Sequence, residues 1–180
     1  MSPIELSLIV AMTPERAIGY KGALPWKRLP SDMAHFKKVT LAAGTVIMGR
    51  ATYESILARN GKPLSQRNHI VLTKKCAPCT DRSVTFVSSL EEVYDEVVDY
   101  GGRACVIGGG EIYKLFLPLP YVRKAYVTVV HAPYLPGDVY FPTIETSSGT
   151  EWRSTESTAI QKWDPNDEYE TSLSLYERVE

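Results

Sequence analysis

Residues 46–55 read VIMGRATYES and residues 105–114 read CVIGGGEIYK. Each begins as a short apolar run with strand character, meets glycine, and continues as the start of a helix. Glycine lets another backbone or a ligand approach closely, and a helix N-terminus offers free N–H groups and a partial positive charge. Either turn could hold a phosphate, and the two together could clamp a pyrophosphate, with Arg50 adding a charge-assisted contact. GGGEIY is not the G-x-G-x-x-G fingerprint, and strand–glycine–helix turns also arise for purely structural reasons. The pair within one small chain points to an α/β fold and suggests a dinucleotide.

Working outward, IELSLIVAM near the N-terminus reads as a central strand. An irregular stretch of about residues 13–30 follows, containing three prolines and two glycines, long enough to be a lid or binding loop. A helix is expected over about residues 31–43, then the buried strand TVIM. The helix RATYESILARN is closed by Gly61. NHIVLT and VTFVS are strands. SLEEVYDEVVDY is a helix with Ser88 or Ser89 as its N-cap and Gly101 after its end. RACVIG is a buried strand, and GGEIYKLFL opens a short helix that stops before Pro118. KAYVTVVHA, EWRSTESTAIQKW and YETSLSLYERV alternate as antiparallel strands do. The expected architecture is therefore a mostly parallel sheet with an antiparallel C-terminal edge and helices on both faces. Residues 1–180 are read as a single domain, with no repeat, low-complexity tract or linker.

Composition narrows the function. The 180 residues are 44% hydrophobic and 23% charged with a net charge of −1, and the basic residues are dispersed, so a nucleic-acid partner is not expected. No apolar run reaches the roughly 20 residues of a membrane span, and MSPIELSLIVAM lacks the features of a signal peptide. A cytoplasmic protein is expected. Cys76, Cys79 and Cys105 are too few and too unevenly spaced for a disulfide framework. Cys76 and Cys79 form a C-x-x-C without a second ligand pair, so they read as loop cysteines before a redox or zinc site, and no metal is expected.

Several residues carry possible chemistry. Thr73 and Lys74 end the NHIVLT strand, where α/β sheets bind ligands, and could hold a further phosphate or simply face water. Arg67 precedes that strand with no partner evident in the sequence. Trp26 lies in a proline-rich loop that could merely pack. Asp32 opens the first long helix in LPWKRLPSDMAHFKK, residues 24–38, where the helix dipole alone would favour an acid. Yet Asp32 shares a face with Phe36, and Met33 and Val39 are its other apolar companions.

SLIVAM, AIGYKGALPWKRLPSDMAHFKK, VIMGRATYESI, KPLSQRNHIVLT, VIGGGEIY, YVTVVHA and GDVYFP, in this order from residue 6 to about residue 142, together resemble dihydrofolate reductase. The resemblance implies the three-layer fold of that family. It also implies reduction of 7,8-dihydrofolate to tetrahydrofolate with NADPH, in support of one-carbon metabolism, by hydride transfer to pterin C6 and protonation of N5. By matching motifs, Asp32 is the acid of the pterin pocket, Thr128 braces it, and Trp26 helps hold an ordered water. Ile9, Val10, Ala11, Met33, Phe36, Ile56, Leu64 and Ile107 line the pterin and benzoyl pocket, and Arg67 grips the glutamate α-carboxylate. Ala11, Ile18 and Gly19 contact nicotinamide and ribose. Gly49, Arg50, Thr52, Gly109, Gly110 and Tyr113 hold the rest of the cofactor, and Thr73 and Lys74 read its adenosine end. The resemblance further implies antifolate inhibitors as ligands and a monomer. The chain departs from the pattern in the length of PWKRLPSD and LARNGKPL, in Leu57 where glycine is common, and in the C-x-x-C. The related reductase of riboflavin synthesis lacks the Trp26–Asp32 block, and a non-catalytic pterin- or nucleotide-binding module would not need every catalytic position filled.

Overall fold

The computed structural model describes residues 4–75, 79–145 and 151–179. The main sheet combines eight strands: β1 (Glu5–Met12), β3 (Thr45–Gly49), β4 (Asn68–Leu72), β5 (Val84–Val87), β6 (Arg103–Gly108), β7 (Val122–Val130), β9 (Trp152–Ser157) and β10 (Thr171–Arg178). Their order is β5-β4-β3-β6-β1-β7-β10-β9. All neighbours from β5 to β7 pair in parallel. β10 runs antiparallel to both β7 and β9. The C-terminal edge therefore carries the reversed strand expected from the sequence.

Strand alternation divides the core into two layers. Leu6, Leu8, Val10, Ile47, Ile70, Ala104 and Val106 face one side, where they pack with Val93 and Val97 of α3 (Leu90–Asp99) and Ile112, Tyr113 and Phe116 of α4 (Gly110–Phe116). Ile9, Val46, Met48, Val71, Cys105 and Ile107 face the other, against Phe36 and Val39 of α1 (Pro30–Ala43) and Tyr53, Ile56 and Leu57 of α2 (Arg50–Asn60). Two helices cover each face because the central strands are apolar on both sides, each fully buried aliphatic side chain contributing about 1.5–3 kcal/mol.

Local signals set the helix ends. The Ser89 hydroxyl accepts from Glu92 N at 3.2 Å, so Ser89 rather than Ser88 is the N-cap of α3. Gly61 closes α2 in the left-handed region (φ 73°), where its N–H reaches Leu57 O. Helix α1 begins at Pro30, one residue before the expected start, because proline's fixed φ suits a first-turn position.

Two expectations need correction. Residues 13–30 are not wholly irregular: β2 (Ala17–Gly19) pairs with β8 (Val139–Tyr140) in a separate two-stranded sheet. Of EWRSTESTAIQKW only Trp152–Ser157 is strand. The residues that follow form a loop closed by Asp164 and Asp167, whose backbone and side-chain bonds make a turn.

Candidate functional site

Parallel strands place their carboxyl ends along one rim of the sheet, and the loops there meet the N-termini of α1, α2 and α4. The turn after β3 and the turn after β6 are neighbours because these strands pair. A Cβ at Gly49 would lie 3.0 Å from Ile112 Cγ1, and one at Gly109 would lie 3.4 Å from Thr52 Oγ1. At Gly110 a Cβ would come within 2.8 Å of Val139 Cγ1, so the β8 segment closes directly over this turn. Helix α2 has Gly49 as its N-cap and no side-chain cap, leaving first-turn N–H groups for another acceptor. Arg50 lies at the same corner: its Nε donates to Glu54 at 2.8 Å and its Nη1 reaches Lys75 O at 3.4 Å. Thr73 and Lys74 follow β4, with Lys74 exposed and the Thr73 hydroxyl accepting from Lys75 N at 3.2 Å. The structure thus lines up Gly109, Gly110, Gly49, Arg50, Thr52, Thr73 and Lys74 across the ends of β6, β3 and β4.

At the other end of the row, Ala11 pairs with Thr128 between β1 and β7. Ile18 and Gly19 sit on β2, held by β8. Tyr113 is buried, and its hydroxyl donates to Ile9 O at 2.7 Å and Ile107 O at 2.9 Å, joining β1 to β6. Burial pushes its phenol far above the ordinary range, so it remains a donor at any working pH.

Asp32 stands in the first turn of α1. Burial raises its carboxyl above the ordinary 3.8; the Thr128 hydroxyl opposes this, and the negative charge of Asp167 adds to it. Thr128 Oγ1 is buried and has no partner at hydrogen-bonding distance among the described residues, although it lies near enough to influence Asp32. Ile9, Phe36, Ile56, Leu64 and Ile107 gather in one apolar cluster along α1 and α2. Val10 faces the opposite layer, with α3 and α4, so only its backbone can border this cluster. Met33, three residues before Phe36 on α1, is 50% exposed and contributes little to the packing of α1 on the sheet. Trp26 is 5% exposed and packs with Leu29 and Val130.

Arg67 is not the solvated surface arginine that its sequence setting allows. It is 7% exposed, its Nε donates to Ser65 O at 2.9 Å, and its Nη1 donates to Thr40 Oγ1 at 2.9 Å. Thr40 lies eight residues beyond Asp32 on α1, so the two mark points about 12 Å apart along the helix. The loop carrying Leu64 and Arg67 is pinned by His69, which is fully buried. Its Nε2 accepts from Leu64 N at 3.0 Å, and its Nδ1 faces Ser83 O at 3.3 Å. Burial holds its pKa below the usual value, keeping the ring neutral and able to accept. A cavity of about 370 Å³ opens beside this loop, lined by Lys62, Gln66, Arg67, Asp81 and Ser83 among others. It lies at the amino ends of β4 and β5, away from the rim that carries Asp32.

Some contacts at the site had no signal in the sequence. His35 follows Asp32 by one turn, stacks edge-on to Tyr126 at 6.1 Å, and keeps a buried Nε2 without a partner among the described residues. Asp138 and Asp167 bind the segments at Lys21 and Ser31, each more than a hundred residues from its partner in sequence. Cys79 is exposed with its Sγ 3.9 Å from Tyr53 Oη, and Cys76 lies outside the described residues. No described helix is long and apolar enough to cross a membrane.

Comparison with known proteins matches residues 5–178 to the family model described as dihydrofolate reductase. The chain belongs to the dihydrofolate reductase family. A dihydrofolate reductase of Bacillus subtilis (strain 168) is 39% identical over 176 residues, covering 96% of this chain and 94% of the relative. One of Haemophilus influenzae is 35% identical over 172 residues, covering 96% and 98%. A solved structure of the dihydrofolate reductase from Enterococcus faecalis, complexed with NADP(H) and RAB-propyl, is similar with a TM-score of 0.79 at 29% identity. It covers 98% of this chain and 97% of that one.

Proposed function

We propose that this member of the dihydrofolate reductase family reduces 7,8-dihydrofolate to 5,6,7,8-tetrahydrofolate with NADPH, using Asp32 as the acid of the pterin pocket. The observation that carries the assignment is a desolvated carboxylate beside a buried hydroxyl, Thr128, at one end of an apolar cluster along α1 and α2 whose far end meets a buried arginine. A flat heterocycle with adjacent N–H donors satisfies the acid, and its rings suit Ile9, Phe36 and Ile107. The benzoyl linker would lie between Ile56 and Leu64. The spacing of about 12 Å along α1 then brings the glutamate carboxylate to Arg67, whose planar fork suits it.

The rim fits a dinucleotide: two adjacent glycine turns, an uncapped helix N-terminus, and cations at Arg50 and Lys74. The ends of β1, β6, β3 and β4 span three strand spacings, about 14 Å, so a ligand lying across them meets each turn in order. NADPH supplies the hydride for pterin C6. Ala11, Ile18 and Gly19 would border the nicotinamide. Gly49, Arg50, Thr52, Gly109 and Gly110 would hold the phosphates, with Tyr113 bracing the strands beneath. Thr73 and Lys74 would bind the adenosine end.

For the proton, Asp32 is the acid nearest the pterin ring. Burial lets it hold a proton at higher pH than a free carboxyl, and the nearby Thr128 hydroxyl would brace it. Trp26, packed with Leu29 and Val130 in the loop before α1, would help hold an ordered water through which the proton reaches N5. Antifolate inhibitors would compete for Asp32 through the same donors. The reading also carries a cytoplasmic monomer. Loss of the reduced-nicotinamide absorbance on adding dihydrofolate tests the assignment. Consumption of NADPH with formation of tetrahydrofolate is expected, and its absence in folded protein that binds NADPH would refute it.

A further inference from the structure

The loop between β9 and β10 has no part in the function described above, yet it grips the segment that presents Asp32. Asp167 is 2% exposed. Its Oδ1 accepts from Ser31 N at 3.0 Å, and its Oδ2 accepts from the Ser31 hydroxyl at 2.6 Å and from Asp164 N at 3.1 Å. Glu168 continues the contact: its Oε2 accepts from Lys27 N at 3.1 Å and Arg28 N at 3.2 Å, and its own N–H donates to Arg28 O at 2.9 Å. Helix α1 needs such help because its N-cap is Leu29, which offers no side-chain acceptor. Asp167 supplies, from 136 residues away, the acceptor that a local serine or aspartate would otherwise provide. Its carboxylate is held ionised: burial opposes the charge, but the bonds from Ser31, Asp164 and Trp163 outweigh it.

Resting on the assignment of Asp32 above, we propose that Asp167 is a positioning residue for the reduction. It caps α1, fixes the backbone that aims Asp32, and sets a second negative charge beside the acid that delivers the proton. Two carboxylates at one helix N-terminus cannot both be fully stabilised by it, and the one with more hydrogen bonds keeps its charge.

The other titratable groups around Asp32 do not take this role. On its own helix and the preceding loop these are His35, Lys38, and the exposed Lys27 and Arg28. From α4 comes Tyr113, committed to two carbonyls, and from β6 the buried Cys105. β7 offers Tyr126, besides the non-titrating Thr128 hydroxyl, and the β9–β10 loop also carries Asp164, Glu168 and Tyr169. Only Asp167 pairs burial with a charge that acts on Asp32.

The test is the pH profile of hydride transfer in Asp167→Asn, which keeps the shape and removes the charge, with Asp167→Ser as a second neutral variant. The carboxyl titration of Asp32 is followed in parallel by carbon NMR in the unliganded protein. The active form is protonated, so both variants should lose rate at lower pH than the wild type, with the midpoint displaced toward acid by roughly half a unit. That displacement gives about a threefold slower rate on the alkaline limb and a near-normal rate on the acid plateau. Ser31→Ala loosens the cap but keeps the charge, and should leave the midpoint in place. An NMR midpoint for Asp32 that is unchanged in a folded neutral variant would overturn the proposal, whatever happens to stability. A wild-type protein that does not reduce dihydrofolate would overturn the functional assignment instead.

Discussion

Asp32 combines two opposed demands in one side chain. Its carboxyl titrates above 3.8 because burial penalises the charge, so the ionised form weakens the unliganded fold. That cost is absent well below pH 3.8, the ordinary value, and grows as pH rises through the elevated folded-state value. Asp32→Asn should therefore melt higher than the wild type at pH 7, with the difference closing in acid. The same variant should lower kcat at neutral pH by about 10²–10⁴ and recover part of it as pH falls and the substrate is protonated in solution. Calorimetry and turnover on one preparation check both halves, and near-normal turnover at pH 7 would remove Asp32 from the proton path. Arg67 makes a second demand at this scale, because it holds Ser65 and Thr40 while being assigned to the substrate carboxylate. Arg67→Leu should cost about 1–3 kcal/mol of stability. It should also raise KM for dihydrofolate strongly, and little for a pterin lacking the glutamate tail. Equal KM penalties with both substrates would leave Arg67 with the structural role alone.

At the scale of elements, residues 13–30 are latched rather than loose. Asp138 N donates to Gly19 O at 2.9 Å, and its carboxylate accepts from Lys21 N at 2.9 Å. Farther along, Arg16 and Phe141 exchange bonds at 3.0 and 2.8 Å. Asp138→Ala removes the exposed side-chain latch and leaves the backbone pairing of β2 with β8. Stability should change by less than about 1 kcal/mol, since the Lys21 N–H can turn to water. The rate of hydride transfer or product release should shift several-fold, because a lid that closes more rarely assembles the site more rarely. Single-turnover kinetics beside a melting curve distinguish the two. A sharp drop in melting temperature with normal turnover of the folded fraction would make the loop a scaffold only.

For the whole molecule, the parallel sheet acts as a ruler that spaces the turns after β6, β3 and β4. A dinucleotide bound across them, as proposed, would stabilise the fold by linkage, by about 2.7 kcal/mol at a hundredfold excess over Kd. Lys74 stands at the far end of that row, where the additional phosphate of NADPH is proposed to lie. Lys74→Ala should shrink the thermal shift produced by NADPH and leave that of NADH nearly unchanged. The affinity loss expected for one charge-assisted contact is about 1.5–3 kcal/mol. Equal losses for the two cofactors would show that this lysine does not read the extra phosphate.

Local chemistry made much of this legible in the sequence. Apolar runs, glycine stops and serine caps act within a few residues, so β3 with α2, β6 with α4, and a start of α3 at Ser88 or Ser89 could be read directly, the hydrogen bond to Glu92 N then deciding for Ser89. The ordered motifs from SLIVAM to GDVYFP pointed to the family for the same reason. Strand order, the pairing of β2 with β8, the face taken by Val10, and the partners of Arg67 were not legible. Neither was the cap that Asp167 places on α1 across 136 residues. Each depends on which surfaces meet once the layers close, and no short-range pattern encodes a contact whose two halves lie far apart in the chain. The acid at residue 32 was set by the sequence; its desolvation, its neighbour Thr128 and the second charge beside it were set by packing.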